Sequence, residues 1–192
     1  MITKSRLITV VLLQALALLA MVGMKQWTLN TGTPIVLETA PIDPRSLFSG
    51  DYVRLNYKIS RLRLDDVGGD RDFKAHETVY VLLKKGEPYW QPVSLHHSLP
   101  AIPPDHAAMK GEVQSVGGDL WNQQMLKYEK AAYLNVRYGV ENYYVPEGKG
   151  RELERPKQGE TVSIRLAVDT FGNAGIKAVL VNGQEQYVES LF

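Results

Sequence analysis

The chain has 192 residues, which is enough for one medium-sized domain or two small ones with a hydrophobic core. Its 22 Lys and Arg residues nearly balance 21 Asp and Glu residues. This balance argues against a general nucleic-acid binder, because such proteins need a basic surface. The lack of cysteine excludes disulfides, thiolate metal sites, cysteine nucleophiles and lipid attachment through cysteine.

An apolar run extends from Leu7 to Met24 and contains Gln14. As a helix it would be about 27 Å long, just enough to cross the hydrocarbon core of a bilayer. Lys4 and Arg6 precede the run, and by the positive-inside rule they place the N-terminus in the cytoplasm. Trp27 follows it and is typical of the membrane interface.

A cleaved signal peptide is the alternative interpretation of this segment. Its apolar region should be shorter, and it should end in a small-x-small cleavage site. The segment Ala20–Met24 offers no such site. We therefore expect residues 1–27 to be an uncleaved transmembrane anchor and residues 28–192 to form an extracytoplasmic domain.

Beyond Asn30 the pattern changes to alternation typical of β-strands. Val53–Ser60 alternates apolar and polar residues, and Val79–Leu83 is apolar on both faces. Residues 161–188 predict a three-stranded meander, in which Asn182-Gly183 forms a hairpin turn. Weaker signals predict four more strands: Pro34–Thr39, Tyr89–Leu95, Glu112–Val116 and Ala132–Tyr138.

Glycine pairs predict loops at Gly68-Gly69 and at Gly117-Gly118. Residues 120–130 are ambiguous, and Asp119 could cap a short helix there. A helical turn is also conceivable between Glu147 and Glu154. The predicted fold is mainly β: a single N-terminal transmembrane helix followed by a barrel- or sandwich-like domain. A division into two small β lobes near residues 118–130 stays open.

The most structured stretch runs from Asp43 to Tyr57, with turns at Asp43-Pro44 and Gly50-Asp51. Alternation places Leu55 and Tyr57 on the core face of the following strand. A turn glycine, a capping aspartate and core aromatics would explain these positions without any ligand.

Two segments carry a resemblance to a known family. Gly50, Asp51, Tyr52, Leu55 and Tyr57 match the pattern Gly-Asp-Tyr-x-x-Leu-x-Tyr. The lead-in at 43–48 and the later segment 137–148 are also similar to that bacterial membrane-anchored family. The resemblance implies an anchor in the cytoplasmic membrane and a periplasmic or other extracytoplasmic domain. It also implies an encoded neighbour that is a multi-pass membrane protein, and it implies no activity.

We expect these two segments, Asp43–Tyr57 and Arg137–Glu154, to lie against each other as a joint binding surface. An arginine of the first should meet a glutamate of the second, because Arg binds carboxylates by two parallel hydrogen bonds. The candidate binding residues are Arg45, Asp51, Tyr52, Arg54, Tyr144, Glu147 and Glu152.

The tyrosines at 133, 138, 143 and 144, with Tyr52, Tyr57 and Trp90, have two interpretations. Aromatic residues in strands mostly pack in the core. An exposed aromatic patch would instead suit a face that binds glycan, peptide or protein.

Enzymatic alternatives have weaker support. A membrane-tethered peptidase would use Ser46 or Ser49 with Lys84 or Lys85 as base, but the further sequence boxes of the signal-peptidase type are absent. A glycoside hydrolase would need two carboxylates among Asp51, Glu141, Glu147 and Glu152. A Ser–His–Asp triad lacks a nucleophile elbow.

His96, His97, Asp105 and His106 could bind Zn²⁺, but adjacent histidines on a strand point to opposite faces. We therefore assign no catalytic residue, no metal and no cofactor. The expected function is a membrane-anchored binding module whose partner is another membrane or envelope protein. The alternative is an extracytoplasmic hydrolase.

Overall fold

The computed structural model describes residues 4–40, 52–117, 119–122, 127–130, 132–144 and 161–188. For residues 52–54, 119–122, 127–130, 144 and 187 it describes the backbone alone.

The chain begins with the long helix α1, Lys4–Thr31. Its most apolar 18-residue window has a mean hydropathy of 2.5, and no residue of that window is buried. The helix is therefore long and apolar enough to cross a membrane. It continues beyond the apolar run that ends at Met24, and Thr28 in its last turn is buried.

The rest of the described chain is mainly β, as predicted, with one short 3₁₀ helix at Lys58–Ser60. The strands are β1 (Thr33–Glu38), β2 (Tyr52–Arg54), β3 (Arg61–Arg63), β4 (Gly68–Gly69), β5 (Thr78–Lys84), β6 (Gln91–His96), β7 (His106–Val116), β8 (Asp119–Asn122), β9 (Lys127–Lys130), β10 (Tyr133–Arg137), β11 (Asn142–Tyr144), β12 (Val162–Val168), β13 (Ala174–Val181) and β14 (Gln184–Val188).

Two larger sheets dominate, and one of them curves into a half-barrel. The four-stranded sheet has the order β1-β12-β13-β14, and the six-stranded sheet has the order β3-β10-β7-β5-β6-β4. Neighbours are antiparallel except for the short β4–β6 pair. Two small ribbons, β2–β11 and β8–β9, complete the described strands.

A single hydrophobic core joins the two larger sheets. Ile35 of β1 and Leu166 of β12 belong to the same buried cluster as Val81 of β5, Met109 of β7 and Leu134 of β10. Strands β7 and β10, which lie on either side of residues 118–130, are hydrogen-bonded neighbours. A boundary between two lobes at that point would separate paired strands.

The predicted meander at residues 161–188 is confirmed as β12, β13 and β14. Its turn forms at Asn182 and Gly183, which have φ angles of 52° and 77°. Both angles lie in the left-handed region that the Asn-Gly pair adopts readily, so the local sequence determined this hairpin.

Two local predictions were wrong, and one ambiguous segment is now assigned. Of the predicted strand Val53–Ser60, only the start belongs to a β-strand, Tyr52–Arg54, and the last three residues form the 3₁₀ helix. Burial still alternates there, with Leu55, Tyr57 and Ile59 buried, because an alternating pattern reports burial rather than strand pairing. In the ambiguous segment 120–130, the described residues belong to β8 and β9, which pair as antiparallel strands. Gly68-Gly69 pairs with β6 rather than forming a loop, since glycine lets its backbone approach closely.

Candidate functional site

The two segments that carry the resemblance are paired through their backbones. β2 and β11 are antiparallel, with Tyr52 opposite Tyr144 and Arg54 opposite Asn142. The next amide, that of Leu55, donates to the carbonyl oxygen of Glu141 at 2.6 Å. The prediction that these segments lie against each other is therefore confirmed for their described parts.

Two buried tyrosines then cross between the same segments. The Tyr57 hydroxyl donates to the carbonyl oxygen of Val140 at 2.6 Å, and the Tyr138 hydroxyl donates to that of Ile59 at 2.8 Å. Burial, and secondarily the nearby Glu141 carboxylate, raises the pKa of both tyrosines well above its ordinary value. Both hydroxyls therefore stay protonated donors. We call these two tyrosines with their acceptor carbonyls the signature junction.

An open groove with a volume of about 670 Å³ lies beside this junction. We call it the β10–β11 groove, because the connection between those strands supplies much of its wall. Most of its lining side chains are polar or charged, which is typical of a site for a polar ligand or a protein surface. The lining residues are His76, Thr78, Lys110, Gly111, Glu112, Arg137, Tyr138, Gly139, Glu141, Asn142, Asn173 and Ala174.

Glu112 is fixed at the groove between His76 and Arg137. Its carboxylate accepts from Arg137 Nη2 at 2.7 Å and lies 3.0 Å from His76 Nδ1. The hydrogen bond with His76, followed by that with Arg137, lowers the pKa of Glu112. The carboxylate is therefore ionised at neutral pH, and the pair it forms with Arg137 orients both side chains.

The turn between β12 and β13 also contributes to the groove, through Asn173. Asp169 is 6% exposed and organises this turn. Its Oδ1 accepts from the backbone amides of Phe171 and Asn173, each at 2.9 Å, and its Oδ2 accepts from the Asn173 side-chain amide at 3.0 Å. Burial alone would raise the pKa of Asp169. The hydrogen bonds from Thr28 and Asn173 outweigh burial, so the pKa lies below its ordinary value.

The same carboxylate ties the helix to the domain. Thr28 Oγ1 in the last turn of α1 donates to Asp169 Oδ2 at 2.7 Å. A Cβ atom on Gly175 would lie 2.7 Å from Leu29 Cδ2, so a larger residue there would force the Leu29 side chain to shift. We call the contacts of Thr28, Leu29, Asp169 and Gly175 the helix junction.

A second cavity of about 410 Å³ lies between the edges of the two sheets, at the 3₁₀ helix. Lys58 Nζ and Glu38 Oε1 form an ion pair there at 2.6 Å, and the Arg61 guanidinium lies 4.6 Å from the centre of the Tyr133 ring. Among the residues that the structure describes, the Tyr133 hydroxyl is buried without a hydrogen-bond partner.

Four of the predicted binding residues, Arg45, Asp51, Glu147 and Glu152, lie outside the described residues. Tyr52, Arg54 and Tyr144 lie in the β2–β11 ribbon, where the backbone alone is described. The expected ion pair between Arg45 or Arg54 and a glutamate of the second segment stays a prediction.

The structure describes the side chains of five of the seven aromatic residues that could form either a core or a binding face. Tyr57, Tyr133, Tyr138, Tyr143 and Trp90 are all buried, which fits the core interpretation. The side chains of Tyr52 and Tyr144 are not described.

The catalytic alternatives find little support in the geometry. Lys84 and Lys85 are both exposed, so neither lies in the desolvated pocket that activates a lysine nucleophile or base. Ser46 and Ser49 lie outside the described residues.

The histidines considered for a zinc site have separate partners. His96 Nε2 contacts Ser94 Oγ, His97 Nε2 contacts Asp72 Oδ1, and His106 Nδ1 contacts the carbonyl oxygen of Pro104. Within the described ranges, no group of His, Cys, Asp and Glu has the arrangement of a metal site.

Two features of the site were missed in the sequence. Nothing in the pattern around Glu112 indicated that it would lie between His76 and Arg137, which are 36 and 25 residues away. Asp169 was not identified either, although the pattern Asp-Thr-Phe-Gly-Asn is one in which an aspartate binds the following amides. Its long-range partner, Thr28, had no local signal.

The family comparison matches most of the chain. The model of the family described as "GDYXXLXY protein" matches residues 14–179, a range that includes most of α1, the signature junction and the β10–β11 groove. No curated protein and no solved structure matches the chain at a significant level. The chain thus belongs to the GDYXXLXY protein family.

Proposed function

We propose that this protein is a single-pass binding module of the bacterial cytoplasmic membrane, with its N-terminus inside and its β domain outside the cytoplasm. Its partner is another membrane or envelope protein, which binds at the β10–β11 groove and the adjoining β2–β11 ribbon. Tethering at the membrane raises the effective concentration of the module near such a partner.

The anchor is supported by the exposure of α1. Its side chains from Leu7 to Met24 are exposed and, apart from Thr9 and Gln14, apolar, and the domain covers none of the most apolar window. Such a surface is unstable in water, and a bilayer would cover it. The docking of Thr28 on Asp169 supports an anchor that stays attached to the folded domain.

The observation that carries the proposal is the position of the groove relative to the helix. Asn173 lines the groove and also binds Asp169, which accepts from Thr28. Thr28 lies four residues beyond Met24, about 6 Å along the helix axis. One wall of the groove is thus close to the level at which α1 would leave the bilayer. A partner seated there would itself have to lie at the membrane.

The charge arrangement favours protein binding over carboxylate catalysis. A general acid needs a raised pKa so that it holds a proton at neutral pH. The pKa of Glu112 is lowered, and Glu141 accepts a hydrogen bond from the Tyr138 amide. Glu112 with Arg137 and Lys110 instead presents fixed charges of both signs, which suits the electrostatic recognition of a partner.

Co-purification from detergent-solubilised membranes of the native host tests this proposal. The tagged full-length protein should retain a specific membrane protein, and Lys110→Glu should lose it because a groove charge is reversed. Lys84→Glu is the matched control, since Lys84 is also an exposed strand lysine but does not line the groove. If Lys84→Glu and Lys110→Glu retain the same membrane protein equally, the groove is not the binding surface. A C-terminal reporter that is active only outside the cytoplasm should be active, and its inactivity in a stable fusion would overturn the topology.

A further inference from the structure

We propose that the turn between β12 and β13 rests on the lipid bilayer, with the ring of Phe171 inserted among the headgroups. The β domain would then have one fixed orientation on the membrane. This inference rests on the proposed anchor, and it assigns a lipid-contacting surface to the β domain itself.

Phe171 is the most exposed large apolar side chain among the described residues beyond α1. Its exposed fraction is 66%, against 60% for Val188 and about 40% for the next, Val116. A phenylalanine that is two-thirds exposed loses the stabilisation it would gain by leaving water. The headgroup region of a bilayer offers it an apolar environment without burial in the protein.

The exposure of Phe171 is imposed by a turn with many internal bonds. The Phe171 amide donates to Asp169 Oδ1, and the Gly172 amide donates to the Asp169 carbonyl oxygen at 3.0 Å. The Lys110 amide of β7 donates to the Gly172 carbonyl oxygen at 2.8 Å. These bonds hold the turn on both sheets and fix the backbone that carries the exposed Phe171 ring.

The sheet register places this turn at the end of the strands that is nearest to the helix. Thr33 at the start of β1 lies opposite Val168 at the end of β12. Because Thr33 follows α1 almost directly, the β12–β13 turn and the end of α1 lie at the same end of the four-stranded sheet. The next turn, at Asn182 and Gly183, lies at the other end of β13 and therefore at the end of the sheet that is farther from α1.

Distance along the helix brings Phe171 within reach of the headgroups. The Thr28–Asp169 bond lies about 6 Å beyond Met24, and two residues of chain span at most about 7 Å. Each headgroup layer is about 5–8 Å thick. Trp27, which is 63% exposed on the last turns of α1, lies at the same level. Trp27 and Phe171 would together form an aromatic contact with the interface.

Single-cysteine labelling of the full-length protein in phosphatidylcholine–phosphatidylglycerol vesicles tests this inference. The chain has no native cysteine, so one fluorophore reports one position. We would label Thr170→Cys beside the intact Phe171, Gln184→Cys at the end of the sheet that is farther from α1, and Leu16→Cys within α1. Each would be quenched by lipids carrying a headgroup-level nitroxide and, separately, by aqueous iodide.

The expected result is strong lipid quenching and weak iodide quenching at position 170, and the reverse at position 184. Phe171→Asp in the Thr170→Cys background should abolish the lipid quenching, because a charged side chain leaves the interface. If position 16 is in the bilayer but position 170 is quenched by iodide alone, or if Phe171→Asp changes nothing, the inference is overturned and the anchor stands. If position 16 is also in water, the proposed anchor itself fails.

Discussion

The helix junction and the signature junction hold the fold by opposite charge chemistry. At the helix junction an ionised carboxylate, Asp169, accepts hydrogen bonds from Thr28 and from its own turn. At the signature junction two neutral hydroxyls, those of Tyr57 and Tyr138, donate to backbone carbonyls. The first junction fixes the domain on α1, and the second fixes the segments beside the groove.

This difference gives the two junctions opposite limits of pH. The pKa of Asp169 is lower in the folded than in the unfolded state. Its ionised carboxylate therefore stabilises the fold at pH values above the unfolded-state pKa, and this stabilisation is lost as the pH falls through the folded-state pKa. The pKa values of Tyr57 and Tyr138 are higher in the folded than in the unfolded state. Their neutral hydroxyls therefore stabilise the fold at pH values below the unfolded-state pKa, and this stabilisation is lost as the pH rises through the folded-state pKa. Acid should therefore weaken the attachment of the helix, and alkali should weaken the groove.

Removing the Tyr57 ring should have the largest effect on the signature junction. Tyr57→Ala should lower the free energy of unfolding by about 3–5 kcal/mol, because it empties a site that is 1% exposed. Tyr57→Phe is the matched control and should cost only about 1 kcal/mol, the usual net value of one hydrogen bond. Urea titration of the full-length protein in detergent micelles measures both. Equal losses for the two variants would show that the hydroxyl, not the ring, dominates.

Leu55→Ala should cost about 2–5 kcal/mol, the usual range for emptying a buried leucine site. Leu55 is 4% exposed, beside the β2–β11 ribbon. The neighbouring Asn56→Ala should change stability by less than about 0.5 kcal/mol, since Asn56 is exposed. The same urea titration decides the matter. A loss below about 0.5 kcal/mol at position 55 would contradict the alternating burial of this segment.

At the helix junction, Thr28→Val should cost about 1–3 kcal/mol. The substitution keeps the shape of the side chain but removes one donor from a buried carboxylate. Thr31→Val is the control, because Thr31 is exposed on the same helix and its hydroxyl donates only to the Trp27 carbonyl oxygen. Protease protection of the 24–32 segment is the most direct readout. A loss of protection in both variants, or in neither, would contradict a specific role for Thr28.

The smallest effect should come from acid, because burial offsets part of the hydrogen bonding that favours the charged form of Asp169. Protection of the helix junction should fall as the pH drops through the lowered pKa of Asp169. Asp169→Asn should start from lower protection and show a flatter acid profile. Hydrogen exchange of the Asn173 amide, measured against pH, follows the change. An acid profile identical in wild type and Asp169→Asn would assign it to another group.

Local signals in the sequence predicted most of the secondary structure. The apolar run predicted α1, and the Asn182-Gly183 pair predicted the β13–β14 hairpin because both positions tolerate positive φ. Alternation predicted the burial of Leu55 and Tyr57. It did not predict where the ladder would stop, because burial and hydrogen bonding are separate properties of a strand.

The site depended on contacts that no local pattern encodes. Thr28 and Asp169 are 141 residues apart, and only the pairing of β1 with β12 brings them together. The adjacency of the two resemblance segments was predicted from their charges, but the described contacts are β pairing and tyrosine hydroxyls. Residue type therefore indicated that the segments meet, and topology determined how.

The central claim is that the helix junction holds the β domain rigidly on its membrane anchor, which keeps the groove near the bilayer. The most direct test is the distance between spin labels at Met21→Cys and Thr170→Cys, measured by pulsed electron resonance in the full-length protein in lipid nanodiscs. We predict one narrow distance distribution, which broadens when Thr28→Val is added and stays narrow with Thr31→Val. A broad distribution in the doubly labelled protein without those changes would show that the domain moves freely on its anchor and would contradict the account.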